Sequence, residues 1–208
     1  MTTVSELAQI IGGEVEGDGD RSVSTIRPPE DVLEGCVVFV SRAEDAPQVL
    51  RLKPAAIICS KAAKIEPGDT ALIRCENPRI SFGLAMRFFF PPEEFEGFVH
   101  ETAVIEDGAV VYPGAHVDAG CFVGAGSMVG EGAVLRPACL VGRNVTIGAK
   151  CLLHPGATVN DWCTLGERVI LHSGSVIGAD GFGFFEDEGF HFKVPQVGKV
   201  SIEDDVEI

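Results

Sequence analysis

From Val99 onward the chain keeps a six-residue beat that few folds can accept. Written in sixes it reads VHETAV, IEDGAV, VYPGAH, VDAGCF, VGAGSM, VGEGAV, LRPACL, VGRNVT, IGAKCL, LHPGAT, VNDWCT, LGERVI, LHSGSV, IGADGF. The first position is Val, Ile or Leu in all fourteen sixes. The fifth is always Ala, Cys, Ser, Val or Gly, and the second is Gly in six of the fourteen. An amphipathic helix needs apolar spacings of three and four, and a half-buried strand needs two. Six fits a parallel β-helix, in which each six is a short strand plus a corner and three sixes close one triangular coil. The aliphatic first position fills the interior. The fifth points into the same narrow prism and has to be small. Glycine belongs near the corners, where backbone passes close to backbone. Residues eighteen apart then stack at about 4.8 Å, the spacing of neighbouring strands.

That stacking predicts neighbours. Cys121, Cys139, Cys151 and Cys163 all occupy the fifth position and read as small core residues. Cys121 lies under Cys139 with both side chains pointing inward in parallel, a poor approach for a disulfide. The seven cysteines include no CxxC pair, so they read as reduced thiols and not as a zinc ribbon. The second position is mostly glycine on two corners. On the third it runs His100, Asp118, Arg136, His154, His172. This titratable column suits a subunit interface, the edge of an active-site groove, or a solvated ladder. His154 and His172 sit within metal-ligand reach of each other, but no third histidine is close in sequence, and no metal is expected.

The beat stops after Ile177 and resumes at Ile202 and Ile208. The interruption, residues 179–200, holds "GFGFFEDEGFHF". Phe182 alternates with Phe184, and Phe190 with Phe192, around "EDEG", so the spacing predicts a hairpin with Gly189 at a positive φ and one aromatic face. Such a face suits a wall for a long apolar or ring-bearing substrate, or a flap on its own coil or on a neighbouring subunit.

Residues 1–95 follow another grammar and read as a compact α+β unit. Thr3 and Glu6 have capping-box spacing, with Val4, Leu7, Ile10 and Ile11 as the apolar face of a helix that Gly12 and Gly13 end. "CVVFV" (36–40), "AAIIC" (55–59) and "ALIRC" (71–75) are strand candidates. "NPRISFGLAMRFFF" predicts a helix with Asn77 as N-cap and Pro78 at its first position. Its apolar face is expected at Ile80, Leu84 and Phe88. "PP" at 91–92 stops it.

A net charge of -15 repels phosphate backbones and argues against nucleic acid as a partner. No basic, apolar leader opens the chain and no run approaches the ~18 apolar residues of a spanning helix. A soluble, cytoplasmic protein is expected.

Taken together, "NPR" (77–79), "LHSGSVIGADGFGF" (171–184) and "KVPQVGKVSIEDDVEI" (193–208) closely resemble the UDP-3-O-(3-hydroxyacyl)glucosamine N-acyltransferase family. The resemblance covers essentially the whole chain. "GADGFGF" with "PQ-G" is specific to that family, whereas bare sixes are shared by many acyl- and acetyltransferases. It implies an α+β N-terminal domain (1–95) that binds uridine, followed by a left-handed parallel β-helix of hexapeptide repeats (99–208) with the inserted hairpin. It implies transfer of a 3-hydroxyacyl chain from acyl carrier protein to the 2-amino group of a UDP-3-O-acylglucosamine in lipid A synthesis. The enzyme would be a homotrimer without metal or redox cofactor. A histidine would act as general base and backbone donors would hold the oxyanion.

In the family an aromatic clamp holds uracil, a Phe and, six residues later, a Tyr, in a stretch like "FLANPKY". Here "FVSRAED" supplies Phe39 but places Arg42 at the Asn and Asp45 at the Tyr. Half the clamp is absent, and Arg42 is a candidate phosphate contact. Gly181, Phe182, Gly183 and Phe184 are the other substrate-binding candidates. The family's catalytic histidine stands in an "AHN"-like segment beyond the position of Ile208, so none is assigned among the five histidines here, and the chain reads as a truncated member. The alternatives are a non-catalytic trimeric β-helix that scaffolds or binds a nucleotide sugar, and a related hexapeptide acetyltransferase.

Overall fold

The structure is a computed structural model that describes residues 2–208. It divides into two compact units at Glu93/Glu94.

In the first unit, β1 (Thr2–Thr3) leads into α1 (Val4–Ile11). Thr3 caps α1: its hydroxyl accepts from the Glu6 N–H at 3.2 Å, and the Glu6 carboxylate accepts from the Thr3 N–H at 2.8 Å. Gly12 closes the helix in the left-handed region, φ 69°. Then follow β2 (Gly13–Glu16), β3 (Ser22–Val23), β4 (Thr25–Arg27), β5 (Cys36–Phe39), a 3-10 turn (Ala43–Asp45), α2 (Ala46–Arg51), β6 (Ala56–Ser60), β7 (Ala71–Cys75) and α3 (Pro78–Phe89).

One sheet runs in the order β2-β7-β6-β5-β4. Its last four strands are mutually parallel, and only β2 is antiparallel, to β7. The three apolar runs are its centre, and they are continuous because both faces are covered. Val37, Ala56, Ile58, Ala71 and Ile73 pack with α1 and α3. Cys36, Val38, Ile57, Cys59 and Leu72 pack with Ala46 and Val49 of α2. The arrangement is a three-layer, mostly parallel sheet, closer to α/β than to the expected α+β.

The face of α3 also differs from expectation. Ile80, Leu84 and Phe88 are exposed, and the buried residues are Ser81 and Ala85. Small residues let α3 approach α1 closely, and the Ser81 hydroxyl donates to the Ile11 carbonyl at 2.9 Å. Ile80, Leu84, Met86 and Phe88 are left on the outside, while Phe82 and Phe89 pack partly against the core.

The second unit is a parallel β-helix. Two-residue strands at the sixth and first positions of each six form three five-stranded sheets. Their register is eighteen residues: Val117 pairs with Leu135, Leu135 with Leu153, and Leu153 with Leu171. First-position residues from Val117 to Leu171 are sealed from solvent, as are the fifth-position residues from Ala115 to Val169. All seven cysteines are buried and free.

Corners make two separate demands on sequence. The fourth position takes a positive φ, with glycine at 108, 114, 120, 126, 132, 156 and 174 and, less usually, Ala138, Asn144, Lys150, Trp162 and Arg168. The second-position glycines 124, 130, 142, 148 and 166 have an ordinary φ but no room for a side chain. A Cβ on Gly148 would lie 2.1 Å from the carbonyl oxygen of Gly166, and one on Gly124 2.6 Å from that of Gly142. Ser127, fully buried at a fifth position, donates to the Gly142 carbonyl at 2.7 Å and accepts from the Val145 N–H at 2.9 Å. No buried side-chain polar atom among the described residues lacks a partner.

The insertion leaves and rejoins the stack at one corner. Leu165 pairs with Ile202, thirty-seven residues on instead of eighteen. Between them Phe184–Asp187 and Phe190–Lys193 form an antiparallel hairpin. Glu188 and Gly189 make its turn with φ of 48° and 81°, the type I′ geometry that matches strand twist. No helix among the described residues is long and apolar enough to cross a membrane.

Candidate functional site

Phe39 ends β5 and is partly buried. Its ring stacks on Phe82 of α3, centroids 5.1 Å apart and planes 28° apart. One face of Phe39 is therefore already occupied by a second aromatic ring of the same unit. The neighbouring groove, of about 470 Å³, is lined by Thr25, Ile26, Arg27, Pro28, Phe82, Met86 and Phe90. Arg27 is held at its rim by Asp31 at 2.8 Å. Phe82, Met86 and Phe90 escaped sequence reasoning because α3 was expected to bury its large residues. Their spacing of four along one helix was the available signal.

Arg42 precedes the 3-10 turn and is exposed, 3.5 Å from Glu44. Asp45 is exposed as well and makes no capping hydrogen bond to α2. A phosphate reaching Arg42 would have to compete with the Glu44 carboxylate.

Gly181, Phe182, Gly183 and Phe184 lie in the second unit, where the insertion departs. The two glycines make room for Gln196: a Cβ on Gly181 would stand 3.3 Å from its Oε1, and one on Gly183 3.1 Å from its Nε2. The Val194 N–H donates to the Gly183 carbonyl at 2.9 Å. "GFG" and "PQ" are thus two halves of one contact. The hairpin register corrects the single aromatic face. Phe185 lies opposite Phe192 and Asp187 opposite Phe190, whereas Phe184 faces Lys193. Cross-strand partners share a face, so Phe185, Phe190 and Phe192 form one side. Phe184 lies on the other, its ring 5.1 Å from that of Phe182.

The titratable column is continuous. Arg136 pairs with Asp118 at 3.5 Å and lies over the Phe95 ring at 4.9 Å. His116, on the adjoining strand position, approaches Asp118 at 3.2 Å. His154 and His172 stack at 5.1 Å with planes 9° apart, and His172 Nε2 is 2.7 Å from a Glu207 carboxylate oxygen. His100 meets the Thr102 hydroxyl at 2.9 Å. Among the described residues no group of three or more His, Cys, Asp or Glu is placed to hold a metal ion.

One exposed pair is strongly organised. The Arg143 guanidinium donates twice to Glu106, at 3.0 Å each, and the Ala125 N–H donates to the same carboxylate at 2.8 Å. Arg143 foremost, then that amide, holds the Glu106 carboxyl down at about 2.

Comparison with known proteins converges on one family. Residues 20–88 match the family described as UDP-3-O-(3-hydroxymyristoyl) glucosamine N-acyltransferase, LpxD. Residues 144–179 match the bacterial transferase hexapeptide repeat. A UDP-3-O-acylglucosamine N-acyltransferase of Methylacidiphilum infernorum is 49% identical over 207 residues, 99% of this chain and 59% of that protein. One of Syntrophotalea carbinolica is 45% identical over all of this chain and 60% of its own length. Perosamine N-acetyltransferase from Caulobacter crescentus, solved with CoA and GDP-perosamine, is 14% identical with a TM-score of 0.38, covering 82% of this chain and 91% of that one. The chain spans about 60% of the length of the curated relatives it matches. Two matched segments, one in each unit, and identity sustained along 99% of the chain make it similar to the UDP-3-O-acylglucosamine N-acyltransferases over the about 60% of their length that it spans.

Proposed function

We propose that the protein serves N-acylation of a UDP-3-O-acylglucosamine, receiving a 3-hydroxyacyl chain from acyl carrier protein, in lipid A synthesis. The amine nitrogen bonds to the thioester carbonyl carbon, the C–S bond breaks, and the proton lost by the amine passes through a general base to the departing thiolate. The protein works as a cytoplasmic homotrimer of left-handed β-helices and uses no metal or redox cofactor. The observation that carries this reading is the 49% identity to a named N-acyltransferase along 99% of the chain.

The first unit's role is to bind uridine. Phe39, backed by Phe82 at 5.1 Å, offers the base one ring face instead of a two-sided clamp. Calorimetry with UDP-N-acetylglucosamine tests this directly. Phe39→Ala is expected to weaken binding about tenfold, the worth of one aromatic stack. An unchanged dissociation constant removes Phe39 from the site. Absence of acyl transfer from a 3-hydroxyacyl carrier protein, with binding intact, would sink the catalytic half alone.

A further inference from the structure

The outer face of α3 is left uncovered by the fold. Ile80, Leu84 and Phe88 follow one another at a spacing of four, so they form one row along the helix. They are 61%, 41% and 40% exposed. Arg79, Gly83 and Arg87 form the adjoining row, and all three are exposed. Residues 77–92 hold these two arginines and no acid, in a chain with 31 acids against 16 bases.

Elsewhere arginines are committed to carboxylates: Arg27 to Asp31, Arg74 to Glu16, Arg143 to Glu106 and Arg168 to Asp205. Arg79 and Arg87 have no hydrogen-bond or ion-pair partner among the described residues. Gly83 lies midway between them, about 6 Å along the axis from each. Glycine inside a helix is destabilising relative to alanine. A Cβ on Gly83 would meet nothing within 4 Å, so packing does not demand the glycine. It leaves a notch in the helix surface between two free guanidinium groups.

Two chemistries therefore lie side by side. The planar fork of an arginine suits a phosphate. The Ile80–Leu84–Phe88 row suits an apolar medium. A free phosphate would satisfy the arginines and leave that row in water. A neutral apolar partner would strand both charges. An anionic bilayer presents phosphates and an acyl boundary within one side chain's depth. The net charge of -15 opposes approach to it, so attachment is reversible and needs both contacts.

We propose that the outer face of α3 docks on an anionic phospholipid surface, with Arg79 and Arg87 on headgroup phosphates around Gly83 and Ile80, Leu84 and Phe88 at the acyl boundary. Neither acyl transfer nor Phe39 enters into it. Flotation with vesicles of phosphatidylcholine and phosphatidylglycerol tests the docking. The chain should float with these and stay behind with phosphatidylcholine alone. Each basic side chain near such a surface is worth about fivefold, so Arg79→Ala with Arg87→Ala should bind about thirtyfold more weakly. Gly83→Glu should float with no vesicle while melting no lower than the parent, because glutamate suits a helix interior better than glycine. Phe39→Ala should float like the parent, which separates failure here from failure of the uridine site. A parent that does not float overturns the proposal, as does equal flotation with uncharged vesicles or unimpaired flotation of Gly83→Glu. Self-association in the absence of lipid that Leu84→Ser abolishes, read by sedimentation, would give the face to a second copy of the chain and overturn it too.

Discussion

The two units solve the problem of burying a parallel sheet in different ways. In the first, four parallel strands need helices over both faces, and each layer is supplied by a different stretch of chain. In the second, the sheets roll around their own interior, so one six-residue rule supplies everything. The first unit spreads its constraints over many kinds of contact. The second concentrates them on a few positions that recur every coil, where an error meets backbone rather than a movable side chain.

The sharpest test is glycine to alanine at the two kinds of corner position. Gly148→Ala drives a methyl into the Gly166 carbonyl and should cost about 3 kcal/mol or prevent folding. Gly156→Ala meets nothing within 4 Å but keeps a φ of 73°, and should cost only about 1 kcal/mol. Equal effects in thermal melts would erase the distinction between crowding and backbone conformation. Next in size, Ser127→Ala strips a buried partner from the Val145 N–H and should cost about 2 kcal/mol by urea titration. Thr3→Ala removes the α1 capping hydroxyl and should cost about 1 kcal/mol. A larger loss there than at Ser127 would mean that the first unit is the more brittle.

The smallest effect is electrostatic. The Glu106 carboxyl is held at about 2, below its ordinary 4.5. Its contribution is therefore complete above about pH 4.5 and lost as the pH falls through about 2. Wild type and Glu106→Gln should differ slightly in urea midpoint at pH 6, and the difference should shrink as the pH falls towards and through about 2. A difference that survives acidification would assign the effect to something other than the Arg143 pair. A last check bears on both units: all seven thiols are buried, so a thiol reagent should label none in the native protein and seven after denaturation.

The β-helix was legible in the sequence because its geometry leaves one choice per position. An aliphatic at the first place and a small residue at the fifth are demanded by the width of the prism. The fourth-position rule was not legible, since Lys150, Trp162 and Arg168 hide a backbone requirement that glycine meets elsewhere. The faces of α3 and of the hairpin differ from what the sequence pattern predicts, for related reasons. Close packing by Ser81 and Ala85 reversed the usual link between size and burial. The two-residue turn at Glu188–Gly189 fixed a register that counting phenylalanines could not. Of the candidate site residues, Phe39 sits beside a groove, but its partner ring, Phe82, belongs to a helix whose buried face the sequence pattern does not reveal.

Because the insertion departs after Ile177 and the ladder resumes at Ile202 as though a single corner had intervened, the stack is indifferent to what the excursion contains. Length and composition can drift there without any strand above or below changing neighbours. That makes this corner a port in an otherwise closed tube, the place where a rigid scaffold can be refitted for a new ligand while its architecture stays constant.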